Sequence, residues 1–168
     1  MDLGALSLYA PIKLVHLKKD SGMSEILKAK VLLVDDEEDF LKILARRLEI
    51  RGMSVMTAAS GTEAVGIVDG HDFDIVVIDL SMPRIDGIET LKRIKAKQPD
   101  TEIIILSGQG SVRTSIEAMK MGAEDFLQKP VNIVDLVGKI NVAKDKRMHI
   151  LQSQTIKEVE KTLSTSSW

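Results

Sequence analysis

Asp74-Ile75-Val76-Val77-Ile78-Asp79-Leu80-Ser81-Met82-Pro83 sets four consecutive β-branched residues ahead of a single carboxylate and a turn. Strands of a parallel sheet are covered on both faces and read as unbroken apolar runs of this kind. In open α/β sheets the chemistry sits just beyond the carboxyl ends of such strands. An unpaired charge inside a core is too costly to keep. Asp79 is therefore expected to emerge at a site rather than to hide in the interior.

The same grammar repeats on either side. Upstream, Val31-Leu32-Leu33-Val34 is a buried-strand run that ends in Asp35-Asp36-Glu37-Glu38-Asp39. A helical stripe of Phe40, Leu41, Leu44 and Leu48 follows, acidic at its start and basic at its end (Arg46, Arg47, Arg51), an order that suits the helix dipole. Gly52 is a natural stop. Met53 to Ala58 reads as a second strand, and Ser60-Gly61-Thr62-Glu63 has capping-box spacing ahead of a helix through Val68.

Downstream of the third strand, Ile75 to Asp79, the loop Leu80 to Gly87 leads into a helical stripe of Ile85, Ile88, Leu91 and Ile94, stopped by Pro99. Glu102 to Leu106 is the fourth strand, Ser107 to Ser111 the loop after it, and a helix through Ile116 and Met119 ends near Gly122. Asp125 to Gln128 is a short fifth strand, followed by Lys129-Pro130 and a helix from about Ile133. Strands alternating with helices in this way specify a parallel sheet with helices on both faces.

The totals bound the function. A chain of 168 residues supports one domain with a sizeable core and a short appendage. The net charge of −2 argues against a surface dedicated to nucleic acid. The absence of cysteine excludes disulfides, thiol catalysis and Cys-ligated zinc, and His16, His71 and His149 are too scattered for a metal cluster. No apolar run is long enough to span a bilayer, and the Leu3–Val15 stretch lacks the basic flank and cleavage site of a signal peptide, so a cytoplasmic protein without membrane insertion is expected. Residues 1–28 show no periodicity and read as an extension, with Met23 a possible alternative start. Residues 148–168 read as a helical tail: Ile156, Val159 and Leu163 keep helical spacing but fall short of a coiled coil, so the tail is expected to fray, with Ser164 to Trp168 disordered.

Four strand ends carry polar residues of complementary kinds: Asp35-Asp36, Asp79, Ser107 and Lys129. Each has a bland explanation as a cap, a turn former, a loop hydroxyl or a solvated charge. Their joint placement makes coincidence improbable. Carboxylates held together repel unless a cation joins them. Magnesium suits such a set because it takes oxygen ligands and readily shares phosphate oxygens. A carboxylate can also attack phosphorus to form an acyl phosphate.

On these residues, and on Leu106-Ser107-Gly108 and Phe126-Leu127-Gln128-Lys129-Pro130, the chain closely resembles a response-regulator receiver domain of two-component signalling, over about residues 29–147. The resemblance implies a flavodoxin-like doubly wound five-stranded parallel sheet of order 2-1-3-4-5 with five helices; the absence of proline after Pro130, with only Gly138 as a breaker, predicts that the last helix runs long. It implies phosphorylation of Asp79 by a sensor histidine kinase or phosphotransfer protein. Magnesium would be held by Asp36 and Asp79 directly, Asp35 through water, and the Ser81 carbonyl. Ser107 would be the switch hydroxyl, Lys129 the phosphoryl-contacting lysine, Lys129-Pro130 a cis peptide, and Phe126 the switch aromatic, here without the hydroxyl of the commoner tyrosine. Such a protein is a signalling switch rather than an enzyme in the metabolic sense, catalysing only its own phosphorylation and dephosphorylation. Its implied partner is a downstream output protein, read through the helix at 111–121, the fifth strand and the helix from 133; the tail itself reads either as a dimerising helix, which would make a homodimer, or as a linker of a longer protein. Ser111-Val112-Arg113 and Lys120 to Asp125 look most like receivers of enhancer-binding activators. Two rival readings are a magnesium-dependent phosphohydrolase, which calls for an Asp where Ser81 stands, and a receiver-like module that binds without phosphorylation.

Overall fold

The computed structural model describes residues 28–82, 87–108 and 112–165. The expectations for residues 1–27, Pro83, Ile85, Ser111 and residues 166–168 lie outside that range. Five parallel strands, β1 (Lys30–Val34), β2 (Ser54–Ala58), β3 (Ile75–Asp79), β4 (Glu102–Ser107) and β5 (Asp125–Gln128), form one sheet in the order β2-β1-β3-β4-β5. They alternate with α1 (Glu38–Glu49), α2 (Gly61–Ile67), α3 (Gly87–Lys97), α4 (Val112–Lys120) and α5 (Ile133–Thr165). This is the flavodoxin-like order that the sequence implied.

The strand side chains divide between two cores by their alternation. Leu32, Val34, Val76, Ile78, Ile103 and Ile105 pack with residues of α2, α3 and α4, such as Ala64, Leu91 and Ala118. Val31, Leu33, Ile75, Val77, Ile104 and Leu106 pack with Leu41, Leu44 and Leu48 of α1 and Leu136 and Ile140 of α5. Every residue of β3 and β4 is buried, as a central strand covered on both faces requires. Each Val, Ile or Leu so buried stabilises the fold by about 1.5–3 kcal/mol. β2 and β5, at the sheet edges, alternate or expose most of their residues.

The local signals resolve as follows. α1 carries Glu38 and Asp39 in its first turn and Arg46 and Arg47 in its last. It ends before Gly52, whose φ of 84° is left-handed and suits glycine. At α2 the Ser60 hydroxyl accepts from the Glu63 N–H (3.1 Å), and the Glu63 carboxylate accepts from the Ala59 N–H (2.8 Å). The reciprocal cap thus forms one residue upstream of its usual target. β4 continues through Ser107, which therefore belongs to the sheet and not to the loop after it.

The last helix is long, as expected, and departs from expectation only at its end. α5 is one uninterrupted helix of 33 residues through Thr165, so Ser164 and Thr165 are helical rather than disordered. Its middle is tied to the amino-terminal edge of the sheet. Arg147 pairs with the buried Asp74, Lys146 reaches Glu102 (3.6 Å) and Glu124, and the Gln154 amide donates to Asp100 (3.3 Å). Beyond these ties Ile156, Val159 and Leu163 are exposed. No helix among the described residues is long and apolar enough to cross a membrane.

Candidate functional site

The carboxyl ends of β1 and β3 lie side by side, since Val34 pairs with Ile78. That register brings Asp35, Asp36 and Asp79 together, with one carboxylate oxygen of each lying within 4.8 Å of the others. Asp35 and Asp79 are almost fully buried and Asp36 is exposed. Asp35 is aimed by its backbone and its side chain. Its N–H prolongs the ladder to the Ala58 carbonyl (3.1 Å), and its Oδ1 accepts from the Glu37 N–H (2.9 Å). Asp79 Oδ1 accepts from the N–H of the exposed Ser81 (3.3 Å), and Leu80 N–H prolongs the β3–β4 ladder to the Leu106 carbonyl (3.0 Å).

Space fixes the other side of Asp79. A Cβ on Gly87, the first residue of α3, would come within 2.7 Å of both the Asp79 carbonyl oxygen and the Leu80 Cα. Only glycine lets the helix start so close to the strand end.

Lys129 arrives from β5, its N–H bonded to the Ser107 carbonyl (2.8 Å) and its peptide to Pro130 cis. Its ammonium donates to Asp35 Oδ2 (2.6 Å) and lies 3.7 Å from Asp79 Oδ2 and 3.6 Å from the more exposed Glu37. It also stands over the Phe40 ring, 4.5 Å from the centroid. Burial pulls the Lys129 pKa down, but the hydrogen bond to Asp35 and the charges of Asp79, Asp35 and Glu37 outweigh it, and the net shift is upward. Burial raises the Asp79 pKa, and repulsion from Asp35 and Asp36 adds to it. Lys129 and the Ser81 N–H oppose this shift without cancelling it.

Of the residues singled out from the sequence, the structure thus gathers Asp35, Asp36, Asp79 and Lys129 at one point, with Ser81 bonded to its rim. Ser107 is buried one residue beyond Leu106, the β4 partner of Asp79, and its hydroxyl donates to the Gly108 carbonyl (3.1 Å) rather than to a carboxylate. Phe126, on β5, pairs with Ile105 of β4 and is 48% exposed, so it is not plain core. Ser107 and Phe126 share a cavity of about 420 Å³ between α4 and β5, lined also by Val112, Ile116 and Met119. Glu37 and Phe40 belong to the surroundings of Lys129 and were not singled out as site residues. The available signal was position: Phe40 follows Asp36 by four residues, within the first turn of α1.

Residues 31–141 match the sequence profile of the response regulator receiver domain. The transcriptional regulatory protein TcrA of Mycobacterium tuberculosis is 38% identical over 111 residues, 66% of this chain and 44% of that protein. The C4-dicarboxylate transport transcriptional regulatory protein DctD of Rhizobium meliloti is 31% identical over 134 residues, 80% of this chain and 29% of that protein. The chain therefore spans less than half the length of these two curated relatives. The crystal structure of a response regulator receiver domain protein from Clostridium thermocellum superposes with a TM-score of 0.70 at 39% identity, covering 73% of this chain and 98% of that one.

Proposed function

This chain belongs to the response regulator receiver domain family, and from that membership we propose that it is a phosphoacceptor switch whose nucleophile is Asp79. Members of the family are signalling proteins, and the phosphodonor proposed here is a phosphohistidine of a sensor kinase or phosphotransfer protein. The observation that carries the reading is the meeting of three carboxylates and one ammonium at the end of β3.

The donor set suits magnesium: hard oxygen ligands, two of them buried, crowded closely enough that repulsion helps to raise the pKa of Asp79. Asp35, Asp36 and Asp79, with the Ser81 carbonyl, would hold the ion. The chemistry such an ion would supply is neutralisation of charge on the carboxylates and on the phosphoryl group.

The chain's own groups do the rest. An Asp79 carboxylate oxygen forms a bond to phosphorus while the P–N bond to the donor histidine breaks. The bonding pair leaves with the imidazole nitrogen, and an acyl phosphate remains on Asp79. Lys129 neutralises a second phosphoryl oxygen, since transfer of this kind depends mainly on positioning and charge compensation. The Ser107 hydroxyl exchanges its bond to the Gly108 carbonyl for the third oxygen. That exchange moves the end of β4 and opens the adjoining cavity to the Phe126 ring, a two-state shift biased by the phosphoryl group. The exposed Val112, Ile116, Met119, Phe126 and Val134 form the face on which a downstream output protein reads the change. The ties of Lys146 and Arg147 to the sheet support a receiver unit of residues 29–147, with the remaining helix as its appendage. A cytoplasmic site of action completes the proposal.

Incubation with magnesium and acetyl phosphate should add one phosphoryl group, detected by mass and removed by hydroxylamine. Asp79→Asn should take up none. Equal uptake by that variant overturns the assignment.

A further inference from the structure

Lys129 has more than carboxylates around it. Its ammonium has Asp35, Glu37 and Asp79 as anionic neighbours, and the face of Phe40 lies beneath it. Phe40 is itself held, packed against the core cluster of α1 and α5 and sharing a surface cleft with Ile43, Leu44, Pro130 and Val131. An aromatic face attracts a cation through its quadrupole. It carries no net charge and accepts no strong hydrogen bond. A carboxylate in its place would hold Lys129 more firmly, yet it would take up the N–H donors and repel an arriving phosphoryl group. An aliphatic side chain would leave the ammonium its carboxylate partners but nothing on the Phe40 side to oppose a swing toward Glu37, whose side chain is 68% exposed, and water.

We propose that Phe40 is a positioning residue for Lys129. Its ring keeps the ammonium between the β1 and β3 ends and, apart from the N–H donated to Asp35, leaves the donors available to the phosphoryl group. This rests on the reading of Lys129 as the phosphoryl-contacting lysine and deepens it. The ring acts on charge, not on bonding, so its contribution scales with the electron density of its face.

Stepwise fluorination of the ring provides the test, because it weakens the face potential and nearly preserves the shape. Proteins carrying mono-, di- and trifluorophenylalanine at position 40 are compared with Phe40→Leu and Phe40→Trp for the rate of phosphorylation by acetyl phosphate with magnesium. Thermal melts confirm that each is folded. The rate should fall along the fluorine series, reaching about three- to tenfold below native, a range that matches the strength of such contacts. Phe40→Leu should fall to the bottom of that series and Phe40→Trp should retain the native rate. In a Lys129→Ala background, at higher phosphodonor concentration, the series should be flat. Native rates throughout the fluorine series, or a slope that survives without Lys129, overturn the role of Phe40. Phosphorylation that persists in Asp79→Asn instead overturns the underlying reading, whatever the ring does.

Discussion

The two ends of the sheet both bury carboxylates, but they balance them differently. At the amino-terminal edge, Asp74 is met by Arg147 and by the Lys30 N–H (2.8 Å). Glu102 is met there by Lys95 (4.0 Å) and Lys146 (3.6 Å). At the carboxyl end, Asp35 and Asp79 share one ammonium, Lys129, with Glu37, and Asp36 stands beside them. Residue types and burial are similar. At one edge the charge is compensated from within the chain, and at the other an excess of anion remains. A compensated cluster holds the fold together, and an uncompensated one, on the function proposed above, would hold a place for a cation and a phosphoryl group.

The comparison breaks most visibly if the balanced end is unbalanced. Arg147→Met leaves Asp74 buried without its cation and should cost about 3 kcal/mol in urea denaturation. The rate of phosphoryl uptake should stay near native. The reverse experiment supplies the missing charge at the other end. Magnesium at a hundredfold excess over its dissociation constant should stabilise the native chain by about 2.7 kcal/mol. Asp36→Ala, assayed at the same ionic strength, should lose that gain, while Asp74→Asn should keep it.

Smaller effects sharpen the contrast. Gly87→Ala places a Cβ against the Asp79 and Leu80 backbone and should destabilise by about 2 kcal/mol, since backbone cannot yield as a side-chain tip does. It should also slow phosphorylation, because Asp79 moves with its backbone.

The smallest effect is a matter of pH. The fold raises the pKa of Asp79 above its ordinary 3.8, so without metal the native state binds that proton more tightly than the unfolded chain. Its contribution to stability is present at low pH and fades as pH climbs from 3.8 through the raised value. Asp79→Asn should abolish that limb and be the more stable protein at neutral pH in chelator, as denaturation across a pH series would reveal.

The sequence made the central strands and the acidic end readable for one reason: both are local. Val31–Val34, Ile75–Ile78 and Glu102–Leu106 are short apolar runs whose meaning lies in neighbouring residues. Asp35 and Asp79 each follow such a run directly, Asp36 stands next to Asp35, and Lys129 follows the short β5 segment Asp125–Gln128. The balanced edge was illegible because its partners are far apart; Arg147 and Asp74 are separated by 73 positions and nothing near either names the other. The role of Phe40 was hidden by its fit to the apolar stripe of α1, a pattern that also describes ordinary core. The tail was misjudged at its end because local propensity alone leaves an exposed helix marginal. The ties at Lys146, Arg147 and Gln154 to Glu102, Asp74 and Asp100 are tertiary and lie upstream of it.

Those same ties make α5 a lever. At 1.5 Å per residue its 33 residues span roughly 50 Å, and roughly 17 Å lie beyond the tie at Gln154. The ties at Lys146, Arg147 and Gln154 form the fulcrum: Leu136 and Ile140 on one side are gripped by the core, and Ile156 and Leu163 on the other are exposed. A tilt of roughly 5° at Gln154 carries Thr165 by about 1.4 Å over that arm. Rearrangements too small to notice inside a close-packed sheet would thus be enlarged, with a fixed direction, at Thr165.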